Sequence, residues 1–131
     1  MGALNYLIYE PKDENGWHFD TTENVISLIL QLPQSGGKYQ YIHNLRSPED
    51  QNLGQVSDRM KNPDSPSGID TASLSPGTLL FFKGKNTLHR VTRVSGDRER
   101  IVAILSYHNK AGHQLSDGSR MAMYGRVAKI D

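Results

Sequence analysis

The stretch Val25-Ile26-Ser27-Leu28-Ile29-Leu30-Gln31-Leu32, bounded by Asn24 and Pro33, is almost unbroken in its apolarity. It is long enough for a strand covered on both faces and short for a helix, and it reads as a central strand. The rest of the chain then becomes short strands separated by turns. Upstream, Leu4 to Glu10 is aromatic and β-branched, and Pro11 to Gly16 carries the Pro, Asp, Asn and Gly of a loop. Downstream, Ser35-Gly36-Gly37 reads as a turn and Tyr39-Gln40-Tyr41-Ile42 as the returning arm of a hairpin. Pro76-Gly77 opens a strand over Thr78 to Phe82 that Gly84 closes, and His89 to Val94 is again strand-like. Ser95-Gly96-Asp97 then reads as a hairpin turn into Ile101 to Tyr107.

Many short strands, Gly and Pro turns and little helical periodicity predict a mainly all-β fold. The small architecture that also offers a ligand-sized mouth is the double-stranded β-helix, a cupin-like jelly roll. Residues 1–131 are expected to form a single minimal domain. Between Asn44 and Pro76 the chain turns polar, which predicts a long loop over about 44–76 with a short helix within Pro48 to Met60. Connections of this length in compact domains are commonly lids or binding loops.

Composition narrows the chemistry. Fifteen basic and 14 acidic residues leave a net charge of +1, and the cations are scattered, so no footprint for nucleic acid is present. There is no Cys, so a metal must be held by nitrogen and oxygen ligands. The apolar runs fall far short of the roughly 20 residues that span a bilayer, and no basic, then apolar, leader opens the chain. A cytoplasmic protein with small-molecule or protein partners and no membrane contact is expected.

Trp17-His18-Phe19-Asp20 carries the chemical signal. Residues two apart on a strand share a face, so His18 and Asp20 can both look inward while Phe19 packs on the other side. A later His89, next to an apolar strand, completes two imidazoles and one carboxylate, the facial set that suits Fe(II) and leaves coordination positions open. Arg100 begins Arg100-Ile101-Val102-Ala103-Ile104-Leu105-Ser106, where alternation sets a guanidinium into an apolar wall. A buried Arg demands an anionic partner, and no acidic residue nearby has the right parity. A planar carboxylate on a cosubstrate would match its fork. Tyr6, Tyr39 and Tyr41 can offer phenols to such a ligand, against the plainer role of strand packing. Arg46, Asp50 and Asn52 form a polar cluster that could meet an amino-acid-like substrate, or simply be solvated. His43 is the substitute ligand should His89 point outward.

These stretches, with Pro76-Gly77-Thr78-Leu79-Leu80-Phe81-Phe82-Lys83-Gly84 and Leu88-His89-Arg90-Val91-Thr92, resemble the Fe(II)/2-oxoglutarate-dependent oxygenases. The nearest branch includes free-amino-acid hydroxylases and related radical halogenases. The resemblance implies His18, Asp20 and His89 as iron ligands, Arg100 as partner of the 2-oxoglutarate distal carboxylate, and a jelly roll. It implies a dioxygenase that hydroxylates a C–H bond of a small amino-acid-like or peptidyl substrate while 2-oxoglutarate and O2 become succinate and CO2.

Two departures bear on that expectation. The halogenase relatives replace the carboxylate ligand by a small residue so that halide can bind, whereas Asp20 is present here and favours hydroxylation. Family members also carry a helical N-terminal region against the barrel, and almost nothing precedes the first strand here. An uncovered apolar sheet face would follow, so a homodimer or a partner subunit is expected to cover it. The competing functions are a catalytically idle module that binds metal and 2-oxoglutarate, and a cupin-like hydrolase or isomerase with no need of Arg100.

Overall fold

The computed structural model describes residues 4–63, 65 and 67–127, without the side chains of residues 122 and 123. The first strands are β1 (Leu4–Tyr9), β2 (Asn15–His18), β3 (Asn24–Gln31), β4 (Ser35–Gly36) and β5 (Tyr39–Ile42). After helix α1 (Leu53–Lys61) come β6 (Asp70–Thr71), β7 (Leu79–Phe82), β8 (Leu88–Val91), β9 (Val94–Ser95) and β10 (Arg100–Tyr107), and α2 (Asp117–Tyr124) follows. Two four-stranded antiparallel sheets carry the fold, in the orders β1-β10-β3-β7 and β2-β8-β5-β6, and β4 pairs with β9 in a small ribbon. Among the described residues no helix is long and apolar enough to cross a membrane.

Alternation along β3 sets the first sheet. Val25, Ser27 and Ile29 are buried on its inner face, but Leu30 is 42% exposed on the other. The expectation of a strand covered on both faces is therefore corrected: the run is apolar on both faces and covered on one. Its neighbours agree, since Leu79 and Phe81 on β7 point the same way as Leu30 and are exposed.

The two expected hairpins also differ. β5 does not return beside β3; it pairs with β8 and β6 in the second sheet. Gly37 shows why the chain leaves β3 at this point. It has φ +56, and a Cβ there would lie 2.7 Å from Pro33 Cγ and 3.1 Å from Arg100 Cδ, so the backbone turns tightly under the Arg100 stem. Likewise β9 pairs with β4, while β10, apolar on both faces, takes a central place between β1 and β3.

The 44–76 connection is a cover. Val56 of α1 packs with Phe19 and Ile69 against Trp17, Ile42, Leu45 and Leu88 on the outer side of the second sheet. The Trp17 indole donates to the Pro63 carbonyl at 2.9 Å, pinning the segment. Helix α2 is a local event that weak apolar patterning hides: the Ser116 hydroxyl accepts from Ser119 N, and Gly125 closes the helix in the left-handed region.

Between the sheets lies a cavity of about 660 Å³ lined from both. Its inner wall includes Leu7, Val25, Phe82, Val91, Val102 and Ile104, so core and site share one apolar lining. Ile29 is fully buried at this layer. Ile29→Ala should therefore lower unfolding free energy by about 2–5 kcal/mol, read as a shift of the urea midpoint; an unchanged midpoint would contradict this packing.

Candidate metal centre

Strand pairing builds the centre. β2 and β8 run antiparallel with His18 directly opposite His89, and the ring centroids stand 4.2 Å apart. Asp20 follows β2, and its amide donates to the Gly84 carbonyl at 3.0 Å, which brings the carboxylate back between the imidazoles. Asp20 Oδ1 is 3.5 Å from His18 Nε2, and Asp20 Oδ2 is 3.6 Å from His89 Nε2. One ligand atom from each of the three residues falls within 4.8 Å of the others, so the cluster can hold a metal ion.

The ring orientations are held from behind. His18 Nδ1 lies 2.7 Å from the Gly16 carbonyl and His89 Nδ1 lies 2.9 Å from the Thr87 carbonyl. A carbonyl only accepts, so each Nδ1 carries the proton and each Nε2 keeps its lone pair for a cation. The His89 ring is further gripped by Tyr39, stacked at 5.4 Å, and by Phe82, edge-on at 4.9 Å.

The two imidazoles are shifted in opposite directions from the ordinary value. Burial pulls His89 below its ordinary value; the Asp20 charge opposes this and the neighbouring His18 adds to it. Burial also pulls on His18, but the Asp20 hydrogen bond and charge and the Gly16 carbonyl outweigh it, so His18 sits above its ordinary value.

At another part of the cavity Arg100 is 3% exposed. Its Nε has no hydrogen-bond partner, and among the described residues no carboxylate forms an ion pair with it. Among the described residues the buried Tyr39 hydroxyl is also without a hydrogen-bond partner. Burial raises the Tyr39 phenol, helped by the Asp20 charge, so it stays a neutral donor. Tyr6 lies elsewhere: it is 62% exposed on the outer face of β1, opposite Ala103. The phenol beside Arg100 is that of Tyr9, its direct partner in the strand register, with the guanidinium 5.4 Å from the ring centre.

Other sequence candidates fall outside the cavity. His43 is exposed and lies 3.6 Å from Asp70. Asp50 and Asn52 tie their own loop together, the Asn52 backbone amide donating to Asp50 Oδ1 and its side-chain amide to Leu45 O, while Arg46 Nε donates to Lys85 O in the β7–β8 connection. The mouth instead gathers His108, His113, Gln114, Arg120 and Tyr124 from the segment after β10. His108 and His113 stack at 3.6 Å, and His108 Nε2 is 3.3 Å from Glu23 Oε2. No periodic signal announces these residues, because they come from a loop and one short helix.

A protein-family model described as Halogenase D matches residues 6–124, nearly the whole chain. The chain belongs to the Halogenase D family. No curated protein matches it. Placement among the 2-oxoglutarate oxygenases near the free-amino-acid hydroxylases is thereby corrected: the family matched is Halogenase D, and no relative carries an oxygenase name. The reason is that a His-x-Asp with a distant His is a ligand set, reusable by any fold that pairs two strands in this way, and not a family fingerprint. Family membership makes this chain a halogenase-related enzyme.

Two measurements follow for this Halogenase D member. A Cβ at Gly84 would lie 2.9 Å from Asp20 Oδ2 and 2.7 Å from the Thr22 carbonyl. Gly84→Ala should push the carboxylate aside and weaken Co(II) binding by about 10–100-fold, and unchanged affinity would refute the role of Asp20. Co(II) affinity should also fall on acidification, and His18, held above its ordinary value, takes its proton at a higher pH than a free imidazole would. A pH-independent affinity between pH 8 and pH 5.5, on the order of the range where imidazoles titrate, would contradict imidazole ligation.

Proposed function

We propose that this Halogenase D protein is an Fe(II)-dependent hydroxylase that uses 2-oxoglutarate and O2. The observation that carries the reading is Arg100, buried without an ionic partner among the described residues and lining the same cavity as the His18, Asp20 and His89 cluster. Two neutral imidazoles and a carboxylate are the hard-to-borderline donors that Fe(II) takes. The unpartnered Arg100 Nε and Tyr39 hydroxyl suit the far carboxylate of a dicarboxylic 2-oxo acid, one by charge and the other as a neutral donor.

Strand order supports the jelly-roll reading. With β4 and β9 set aside, the other strands numbered one to eight interleave as 1-8-3-6 and 2-7-4-5. Bound at this cluster, iron with 2-oxoglutarate and O2 supplies oxidation of a C–H bond, one oxygen atom entering succinate and the other the product alcohol, with release of CO2. The residues do the positioning: Arg100 fixes the cosubstrate, Tyr39 and Phe82 hold His89, and the apolar wall excludes water.

Hydroxylation rather than halogenation is supported by Asp20. Its carboxylate occupies the position between the imidazoles, and a halide added beside it would bring two anions together. A small amino-acid-like molecule or a peptidyl side chain suits a mouth lined by His108, His113, Gln114 and Arg120.

An anaerobic titration with Fe(II) and 2-oxoglutarate tests this. The account expects a visible charge-transfer band that needs both components, with Arg100→Ala weakening 2-oxoglutarate binding roughly 30-fold or more. Bound iron with no band, or no consumption of 2-oxoglutarate once O2 is admitted, would overturn it.

A further inference from the structure

The outer face of the first sheet is a continuous apolar surface. Leu4, Leu105, Ile26 and Phe81 lie in register across all four strands, and Tyr6, Ala103, Leu28 and Leu79 form the next row. None of the outward positions on these strands carries a charge. Tyr6, Ile8, Leu79 and Phe81 are each 59–63% exposed, a degree of exposure normally seen for polar side chains. The second sheet has no such face, because α1 and its loop cover it.

We infer that this face is a twofold interface with a second copy of the same chain. Taking about 80–100 Å² for each half-exposed large side chain, Leu4, Tyr6, Ile8, Leu30, Leu79, Phe81 and Tyr107 make a patch of roughly 560–700 Å². That is at or above the upper end of the roughly 300–600 Å² of the largest patch on a typical monomer. Two such patches face to face remove about 1,100–1,400 Å² from water, which reaches the lower part of the roughly 1,200–2,000 Å² of a stable specific interface. A surface without charge carries no sign that selects an unlike partner, and it complements itself under a twofold axis. Because the same patch meets itself, the association closes at two chains and does not propagate. Sheets stack at about 10 Å, so apolar rows from the two chains interdigitate as in a β-sandwich core.

The cavity lies on the other side of this sheet, so dimerisation and metal binding can be read separately. Sedimentation equilibrium of the whole chain at micromolar concentration should give twice the 14.7 kDa chain mass. Phe81→Lys should weaken self-association about 30-fold or more while Co(II) binding at His18, Asp20 and His89 is kept. Leu28→Cys, the single thiol of a chain that has none, should be joined to its twin by a short bis-maleimide in native but not in denatured protein. This second variant decides the matter should Phe81→Lys fail to bind metal. A single-chain mass for the unaltered protein, a dimer indifferent to Phe81→Lys, an open-ended series of masses, or no native cross-link at position 28 would each overturn the proposal.

Discussion

Two imidazoles facing each other across an antiparallel strand pair, each with its Nδ1 proton given to the carbonyl two residues upstream, determine where a cation can sit. His18 and His89 are opposite one another because β2 and β8 pair, and their Nε2 atoms converge because Gly16 and Thr87 hold the rings from behind. The remaining parts of the centre serve that pair. Gly84 leaves room for the Asp20 carboxylate, and Tyr39 and Phe82 fix the more deeply buried ring. A one-residue slip of either β2 or β8 would turn that strand's imidazole to the opposite face, where Trp17 and Leu88 now form a covered apolar cluster, and would separate the pair.

The same logic explains the cost accepted at Arg100. A guanidinium in an apolar wall, with a strand partner that is a tyrosine and not a carboxylate, loses hydration without an ion pair among the described residues. A buried guanidinium in this state calls for an anion to supply the missing charge. The turn at Gly37, packed against the Arg100 stem, shows that the backbone is shaped around this side chain. The cavity thus joins a cluster that can hold a metal ion to a wall that carries a buried guanidinium.

Much of this was legible in residue order, and the failures have physical causes. His18 and Asp20 share a face because alternation is local, and Arg100 is inward for the same reason; both follow from a period of two. Tyr6 rather than Tyr9 was expected near the cosubstrate because parity cannot be assigned on β1 without its register against β10, a long-range pairing. The hairpins failed on the same ground: a Gly-rich turn says that the chain reverses, not which sheet it joins. Residues 108–124 carried no periodic pattern that would set them at the mouth, because their position depends on a cap, a stacked imidazole pair and the cavity they line. The family, too, lay beyond the ligand motif, since three ligands describe a cation and not an ancestry.

X-ray absorption on the anaerobic chain carrying one equivalent of Fe(II) addresses the metal centre most directly. The account predicts a shell with the multiple-scattering signature of two imidazoles plus oxygen donors, reduced to one imidazole in His89→Ala. A spectrum of oxygen and water ligands alone, unchanged by that substitution, would contradict it.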